Sequence, residues 1–369
     1  MADQAAQGHE AMTTSPMTAR QRVLTLLRGR RPDRIPTDYW ATAEFDARIK
    51  AELGCSDDEA LWRKLHIDAP LRLAPRHLCE HHPDDPLADA WGVRTKRVEY
   101  GTGTYYEVDH CPLAQARSVQ DVHAFRWPSA DDYDYTVITD ALAADDGTRP
   151  VRAGIYEPFL IYCSMRGMEQ SYEDLLLNPG IADAILGHLF EFHHEWNRRI
   201  FDAGCIDGQQ RIDITYVAED LGSQTGPLIS LDLYRRFLRD NQRRMADLAR
   251  SHGIHVFYHT DGAAYLFIND LIDVVGIEVL NPIQWRCPGM EREKLVREFG
   301  SRIVFHGGMD NQQTLPFGTA DDVVNEVKRN IEIFSSARWI CAPCHNIQAV
   351  TPTRNVVAMY DCIEEIGGL

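Results

Sequence analysis

The stretch VFYHTDG, residues 256–262, decides how the rest of the chain is read. Three apolar or aromatic β-formers run into a histidine, a threonine, an aspartate and a glycine, and Gly253 bounds the run on its other side. A short apolar run between turn-formers fits a buried parallel strand, and residues 264–275 then switch to helical spacing. His259 and Asp261 therefore stand at the carboxyl end of a strand that feeds a helix. In α/β barrels that end carries the chemistry, because the βα loops converge there while the opposite end serves stability.

Outward from this unit the same alternation repeats. Downstream, strands are expected at 277–280, 303–306 and 339–342, with helices at 292–299, 321–334 and 355–366. Upstream, a strand at 211–217 precedes a helix over 231–252. Ser230 caps that helix, and Leu233, Phe237, Met245 and Leu248 form its apolar stripe. A strand at 151–156 precedes a long helix over 182–203. Earlier still, 35–40 and 68–73 read as strands, 46–65 as one or two short helices, and the acidic 131–148 as helical or loose. Residues 91–108 alternate and are rich in Val, Tyr and Thr around Gly101 and Gly103, which predicts an inserted antiparallel hairpin covering one mouth. Repeated βα units require a parallel sheet, and about eight candidate strands favour a closed (β/α)8 TIM barrel. A helix from Thr18 to Gly29, with Val23, Leu24 and Leu27 on one face, extends it at the N-terminus. Residues 17–369 are expected to form one domain, and the polar, Ala-rich residues 1–16 a disordered tail.

Composition removes several function classes. The 369 residues exceed the roughly 250 of a bare barrel, and 44% of them are hydrophobic, ample for one core with additions. Lys and Arg total 38 against 55 Asp and Glu, a net charge of −17 that repels phosphate backbones and anionic lipid surfaces. Nucleic acid and membrane are thus not expected partners. No apolar run reaches the roughly 18 residues of a span. The nine cysteines are scattered and no secretory segment precedes them, so a reducing cytoplasm is expected.

The residues just after the late strands are Glu219 and Asp220, His259 and Asp261, Asn281 and Gln284, His306 and Asp310, and His345, Asn346 and Gln348. Helix capping accounts for Asp310 and Asn281. Two imidazoles and a carboxylate from neighbouring strand ends, His259, Asp261 and His345, make a metal-ligand set; histidines satisfied by hydrogen bonds in a polar pocket are the alternative. The same HxD…H pattern occurs in iron oxygenases, which stand on an all-β jelly roll rather than on strands separated by helices. CAPC, residues 341–344, has the spacing of a redox pair or half a zinc site. Residues three apart on a strand point to opposite faces, which makes Cys341 a core thiol and Cys344 adjacent to the site without being a ligand. His81, His82, His193 and His194 fall in a loop and a helix and are read as satisfied histidines.

GIEVLNPIQ (276–284), HGGMDNQQTLPFGT (306–319), APCHNIQAVTPTRNVVAMYD (342–361) and the opening TARQRVLTLLRGRRPDRIP (18–36) resemble the uroporphyrinogen decarboxylase superfamily, which joins porphyrinogen decarboxylases to methylcobalamin-linked methyltransferases. The resemblance spans nearly the whole chain from Met17 and implies a (β/α)8 barrel. The decarboxylases carry an arginine-rich segment after the first strand; Asp38, Tyr39 and Trp40 stand here instead, followed by ATAEFDARI, which argues against uroporphyrinogen as substrate. The methyltransferases carry a zinc site of the form H-x-C with a distant cysteine. On alignment His259 takes the place of that histidine, Asp261 replaces the first cysteine and His345 the second. One carboxylate and two imidazoles would leave a zinc dication with about one positive charge, where two thiolates would neutralise it.

The sequence thus predicts a metal-dependent one-carbon (methyl) transferase or demethylase. His259, Asp261 and His345 hold zinc or another divalent metal, Asp220 and Tyr216 act as catalytic or positioning residues, with a fourth ligand or a substrate anchor as the alternatives for Asp220, and Gln284, Asn346, Tyr156 and Glu157 contact substrate. A corrinoid or tetrahydrofolate is the expected methyl carrier, and a small molecule, a corrinoid protein and a second copy of the chain are the expected partners. The alternatives are a metal-free decarboxylase of a carboxylated substrate, with a proton delivered by Asp or His, and a non-catalytic partner that docks a corrinoid protein.

Overall fold

A computed structural model describes residues 16–99, 101 and 103–367. The expected tail, 1–16, lies outside this range except for Pro16. At the centre is a seven-stranded sheet in the order Leu71–Leu73, Val151–Tyr156, Ile214–Ala218, His255–His259, Val279–Asn281, Val304–Met309 and Arg338–Pro343. Every neighbouring pair is parallel, as the helical connections between the strands require.

The two faces of the sheet bury different sets of side chains, because alternate residues of a strand point to opposite sides. Ile214, Tyr216, Ala218, Phe257, Val279, Val304 and Ile340 form an inner cluster, whereas Val217, Tyr258, Leu280 and Phe305 join the larger core under the helices. The inner cluster is stoppered at one end by the helix Ala19–Leu27, which contributes Val23, Leu24, Leu26 and Leu27. Thr18 and Gln21 make the capping box that starts this helix. Arg20 fixes it by an ion pair of 2.9 Å to Asp213, the residue just before a strand begins, so the plug sits at the amino ends of the strands. The carboxyl ends are left to form the site.

The expected strand at 35–40 is not a strand but a segment with two isolated parallel bridges, Thr37 to Cys341 and Ala41 to Ile347. Pro36 has no N–H to donate and limits the ladder. The segment nevertheless bonds on both sides: Cys341 N to Pro36 O at 2.9 Å and Asp38 N to Cys341 O at 3.0 Å towards the last strand, and Asp68 N to Thr37 O at 3.0 Å towards the first.

The hairpin is present, Arg94–Glu99 against Thr104–His110, and a bond from Thr104 to Glu44 ties it to the helix Ala43–Leu53. The single helix expected over 231–252 is two, Leu231–Phe237 and Arg239–Ser251, broken at Leu238. Ser230 caps the first through Leu233 N, as expected. No helix among the described residues is long and apolar enough to cross a membrane.

Candidate functional site

The strand His255–His259 and the turn after it deliver His259 and Asp261 to the carboxyl end of the sheet. Asp220 arrives beside them from the neighbouring strand Ile214–Ala218. One ligand atom from each of Asp220, His259 and Asp261 lies within 4.8 Å of the other two. His259 Nε2 stands 3.8 Å from Asp220 Oδ1 and 3.8 Å from Asp261 Oδ1. The turn that permits this depends on Gly262, whose φ is +75° and where a Cβ would meet Ser223 O at 2.5 Å.

Hydrogen bonds below the trio settle which imidazole nitrogen faces it. Asp38 is buried and its carboxylate only accepts. Burial opposes its charge most strongly, but the hydrogen bond and charge of His306 together with the charges of Arg72 and Arg152 outweigh it and leave its pKa at about 2. His306 Nε2 lies 3.0 Å from Asp38 Oδ2 and therefore donates to it. His306 Nδ1 then accepts from Asn281 Nδ2 at 2.7 Å, and Asn281 Oδ1 accepts from His259 Nδ1 at 2.6 Å. The Nε2 lone pair of His259 is thus turned towards Asp220 and Asp261. Fixing a ligand's tautomer through its second ring nitrogen is how proteins orient metal-binding histidines. Trp40 stacks on His259 at 5.7 Å between ring centres and donates its Nε1 to Asp38 at 2.8 Å.

Asp261 is held from two directions: Gln284 Nε2 donates to its Oδ1 at 2.9 Å, and Asp220 Oδ1 accepts from its backbone N at 3.1 Å. The crowding of acids perturbs their ionisation. Burial, with the nearby charge of Asp220, pushes Asp261 up to about 6, and burial with Asp220 pushes Glu157 up to about 7. Two carboxylates and an imidazole lone pair converging in a partly dry site are a donor set that a divalent cation satisfies.

The structure sorts the remaining expected site residues. His345 Nε2 is 3.5 Å from Asp261 Oδ2 and its ring centre is 6.5 Å from that of His259, so it borders the trio from the last strand's end. Burial holds its pKa below the usual imidazole value. Asp220, expected as a catalytic residue, stands among the three converging donors. The three donors that converge are thus two carboxylates and one imidazole, where the sequence led to one carboxylate and two imidazoles. The Tyr216 ring is 5.6 Å from His259, and burial holds its phenol protonated. Gln284 spends its amide on Asp261 and on Gly262 N, and so positions the site. The Asn346 carbonyl accepts from Asn311 and from Gln348.

Tyr156 is not brought to the site. It pairs in register with Val217, on the outward face of the sheet, and its ring packs against Phe190 and His193 of the helix Pro179–Ala203; an assignment by strand end alone ignored the alternation of faces. Cys341 and Cys344 are buried, and the Cys344 thiol donates to Ile283 O at 3.0 Å. Asp310 accepts from Gln312 N, Thr314 N and Arg286 Nε but is not the N-cap of the helix Thr314–Phe317, which is Gln313. Asn281 does not cap; it is the bridge between His259 and His306. Glu219 accepts from Phe159 N and Leu160 N and so holds the start of the helix Pro158–Arg166.

The chain belongs to the uroporphyrinogen decarboxylase (URO-D) family, whose model matches residues 90–366. Among solved structures it is similar to a methyltransferase from Methanosarcina mazei, with a TM-score of 0.68 and 19% identity over 95% of this chain and 99% of that one. A B12-independent methionine synthase from Shewanella sp. W3-18-1 shows a TM-score of 0.42 and 11% identity over 90% of this chain and 93% of that one. An L-ribulose 3-epimerase shows 0.43 and 12% over 90% and 94%. No curated protein sequence matches the chain.

Proposed function

We propose that the chain is a metal-dependent one-carbon transferase or demethylase acting on a small molecule, with Asp220, His259 and Asp261 as the metal-holding residues. The observation that carries this reading is the convergence of those three donors within 4.8 Å, with the His259 lone pair turned inward by Asn281, His306 and Asp38. Family membership and the fold shared with a methyltransferase support it. On this reading segment 37–42 is the eighth stave closing a (β/α)8 barrel, supported by its backbone bonds to the last strand and to Asp68 just before the first, and residues 17–369 are one domain.

A bound divalent ion would supply Lewis acidity towards the heteroatom that gives up or receives the methyl group. The chain's own groups do the rest. Trp40 and Tyr216 wall the trio with aromatic rings and exclude water. His345, neutral at physiological pH and 3.5 Å from Asp261, is placed to take or return a proton at Nε2 or to add a fourth donor. Glu157 borders the site on the Asp220 side. Zinc suits the nitrogen and oxygen donors, and the methyl carrier would be a corrinoid protein or tetrahydrofolate.

Elemental analysis of the purified protein and of His259→Ala, each after exposure to zinc and desalting, tests the reading. One ion per chain in the wild type and none in the variant is expected; a wild type that retains no divalent metal refutes it. A metal-free decarboxylase is the second reading, favoured by Glu157, whose raised pKa of about 7 keeps a proton available to a carbanion. Chelator-insensitive release of carbon dioxide from a carboxylated substrate would select it.

A further inference from the structure

Two guanidinium groups reach the inner face of the sheet, the exposed Arg72 and the half-buried Arg152. Arg72 and Arg152 are direct register partners on adjacent parallel strands. Their guanidinium carbons lie 5.8 and 5.6 Å from the ring centre of Trp40, and that of Arg152 also lies 4.9 Å from Tyr216. Among the described residues neither makes an ion pair. Arg72 has a single hydrogen bond, to Tyr39 O at 3.3 Å, and Arg152 has none. Most other arginines near the sheet are tied: Arg20 to Asp213, Arg22 and Arg34 to Asp68, Arg166 to Asp174.

Two like charges held side by side cost free energy, and Arg152 shows it: burial and the neighbouring Arg72 push its pKa down to about 10. Asp38 and Glu157 are the acids that compensate Arg152 electrostatically; neither is ion-paired to it, and the oxygens of Asp38 are already taken by His306, Trp40 and Tyr39 N. Guanidinium groups in this condition match a carboxylate, which can accept from both forks at once. Trp40 and Tyr216, the rings that carry the two cations, also touch His259 at 5.7 and 5.6 Å. Each guanidinium is therefore one aromatic ring away from the imidazole of the trio.

We propose that Arg72 and Arg152 form a carboxylate-binding subsite, so that the substrate is a small carboxylate whose anionic end docks on this pair while its reacting heteroatom faces Asp220, His259 and Asp261. The subsite rests on the proposed metal-dependent function only for the second half of that statement; the capture of the carboxylate does not need the ion. The substrate class is thus a short, carboxylate-bearing methyl donor or acceptor.

Calorimetric titration of the chelator-treated protein with 4-methoxybenzoate, benzoate and the neutral 4-methoxybenzamide tests it. Both carboxylates are expected to bind, and the amide at least tenfold more weakly. Arg152→Gln should remove that preference, Arg152→Lys should keep part of it, and the melting temperature of Arg152→Gln should not fall, since an unpaired cation has been removed. Equal binding of amide and carboxylate, no binding of either carboxylate, or an Arg152→Gln protein that still prefers the carboxylate overturns the proposal. So does a sharp fall in melting temperature with the preference intact, which would make Arg152 a structural counter-charge to Asp38. Because the titration is done with chelator, a failure of the metal reading leaves its outcome unaffected.

Discussion

Replacing Asn281 by Leu removes the one group that joins His259 to His306 while nearly conserving volume. The amide is 1% exposed and makes bonds of 2.6 and 2.7 Å, so both imidazoles lose a partner in a dry setting. An orphaned buried polar group costs about 1–3 kcal/mol, and two of them should lower unfolding free energy by about 2–6 kcal/mol. The more specific effect is on the metal. With Nδ1 of His259 unpinned, the ring is free to rotate and to change tautomer, and loss of such an orienting bond weakens metal binding about 10–100-fold. Asn281→Asp is the control that separates the two effects. Its carboxylate accepts from His259 Nδ1–H and from a doubly protonated His306, which keeps Asp38 as its other partner, so the His259 lone pair still faces inward. Competition with a chromogenic chelator at pH 7.5 would measure zinc affinity, with urea unfolding in parallel. Asn281→Leu should lose at least tenfold in affinity while Asn281→Asp stays within a few-fold of wild type. Wild-type affinity in Asn281→Leu, or an Asn281→Asp protein as weak as the Leu variant, would refute the orientation argument.

Other consequences can be checked with the same tools. Asp261 binds its proton more tightly in the folded protein (about 6) than its ordinary value of 3.8, so its ionisation costs stability over that window and fully above it. Asp261→Asn should make the metal-free protein about 1–3 kcal/mol more stable at pH 7.5, with no gain at pH 4, while abolishing metal binding; urea melts at both pH values decide it. Wild-type metal affinity should fall as pH drops through about 6, where Asp261 takes up its proton. Cys344→Ser should leave metal stoichiometry unchanged by elemental analysis, because the thiol is buried and bonded to Ile283 O rather than aimed at the trio. Arg166→Ala should cost about 3–5 kcal/mol in urea unfolding, since it strands the fully buried Asp174, 2.7 Å away; a loss below about 1 kcal/mol would mean Gln170 and Asn178 satisfy that carboxylate alone.

How much of this was readable beforehand depends on whether the signal is local. Strands such as 255–259 and 304–309 announce themselves by composition, and the residues that follow a strand are fixed by chain continuity; His259, Asp261 and Asp220 were legible for that reason. Tyr156 was misplaced because the face a strand residue takes depends on where the pleat starts, which its own sequence does not mark. Asn281 carried an ordinary capping signature and no sign of the two rings it bridges. Asp38, 268 positions from His306, and the pairing of Arg72 with Arg152 exist only once the parallel register is set, so no spacing rule could have found them. The bridged rather than laddered state of 35–40, which reads as a strand from its composition, follows from Pro36, whose missing donor interrupts the ladder.

Asp38 has one further partner: its carbonyl accepts from Tyr360 OH at 2.8 Å in the helix Thr353–Ile366, and Ile35 N bonds to Gly367 O at 3.0 Å nearby. The imidazole at position 259 is therefore aimed by a residue that is itself braced from 322 positions along the chain. Loosening the helix Thr353–Ile366 from its seat would disturb the aim of an imidazole that the helix never touches.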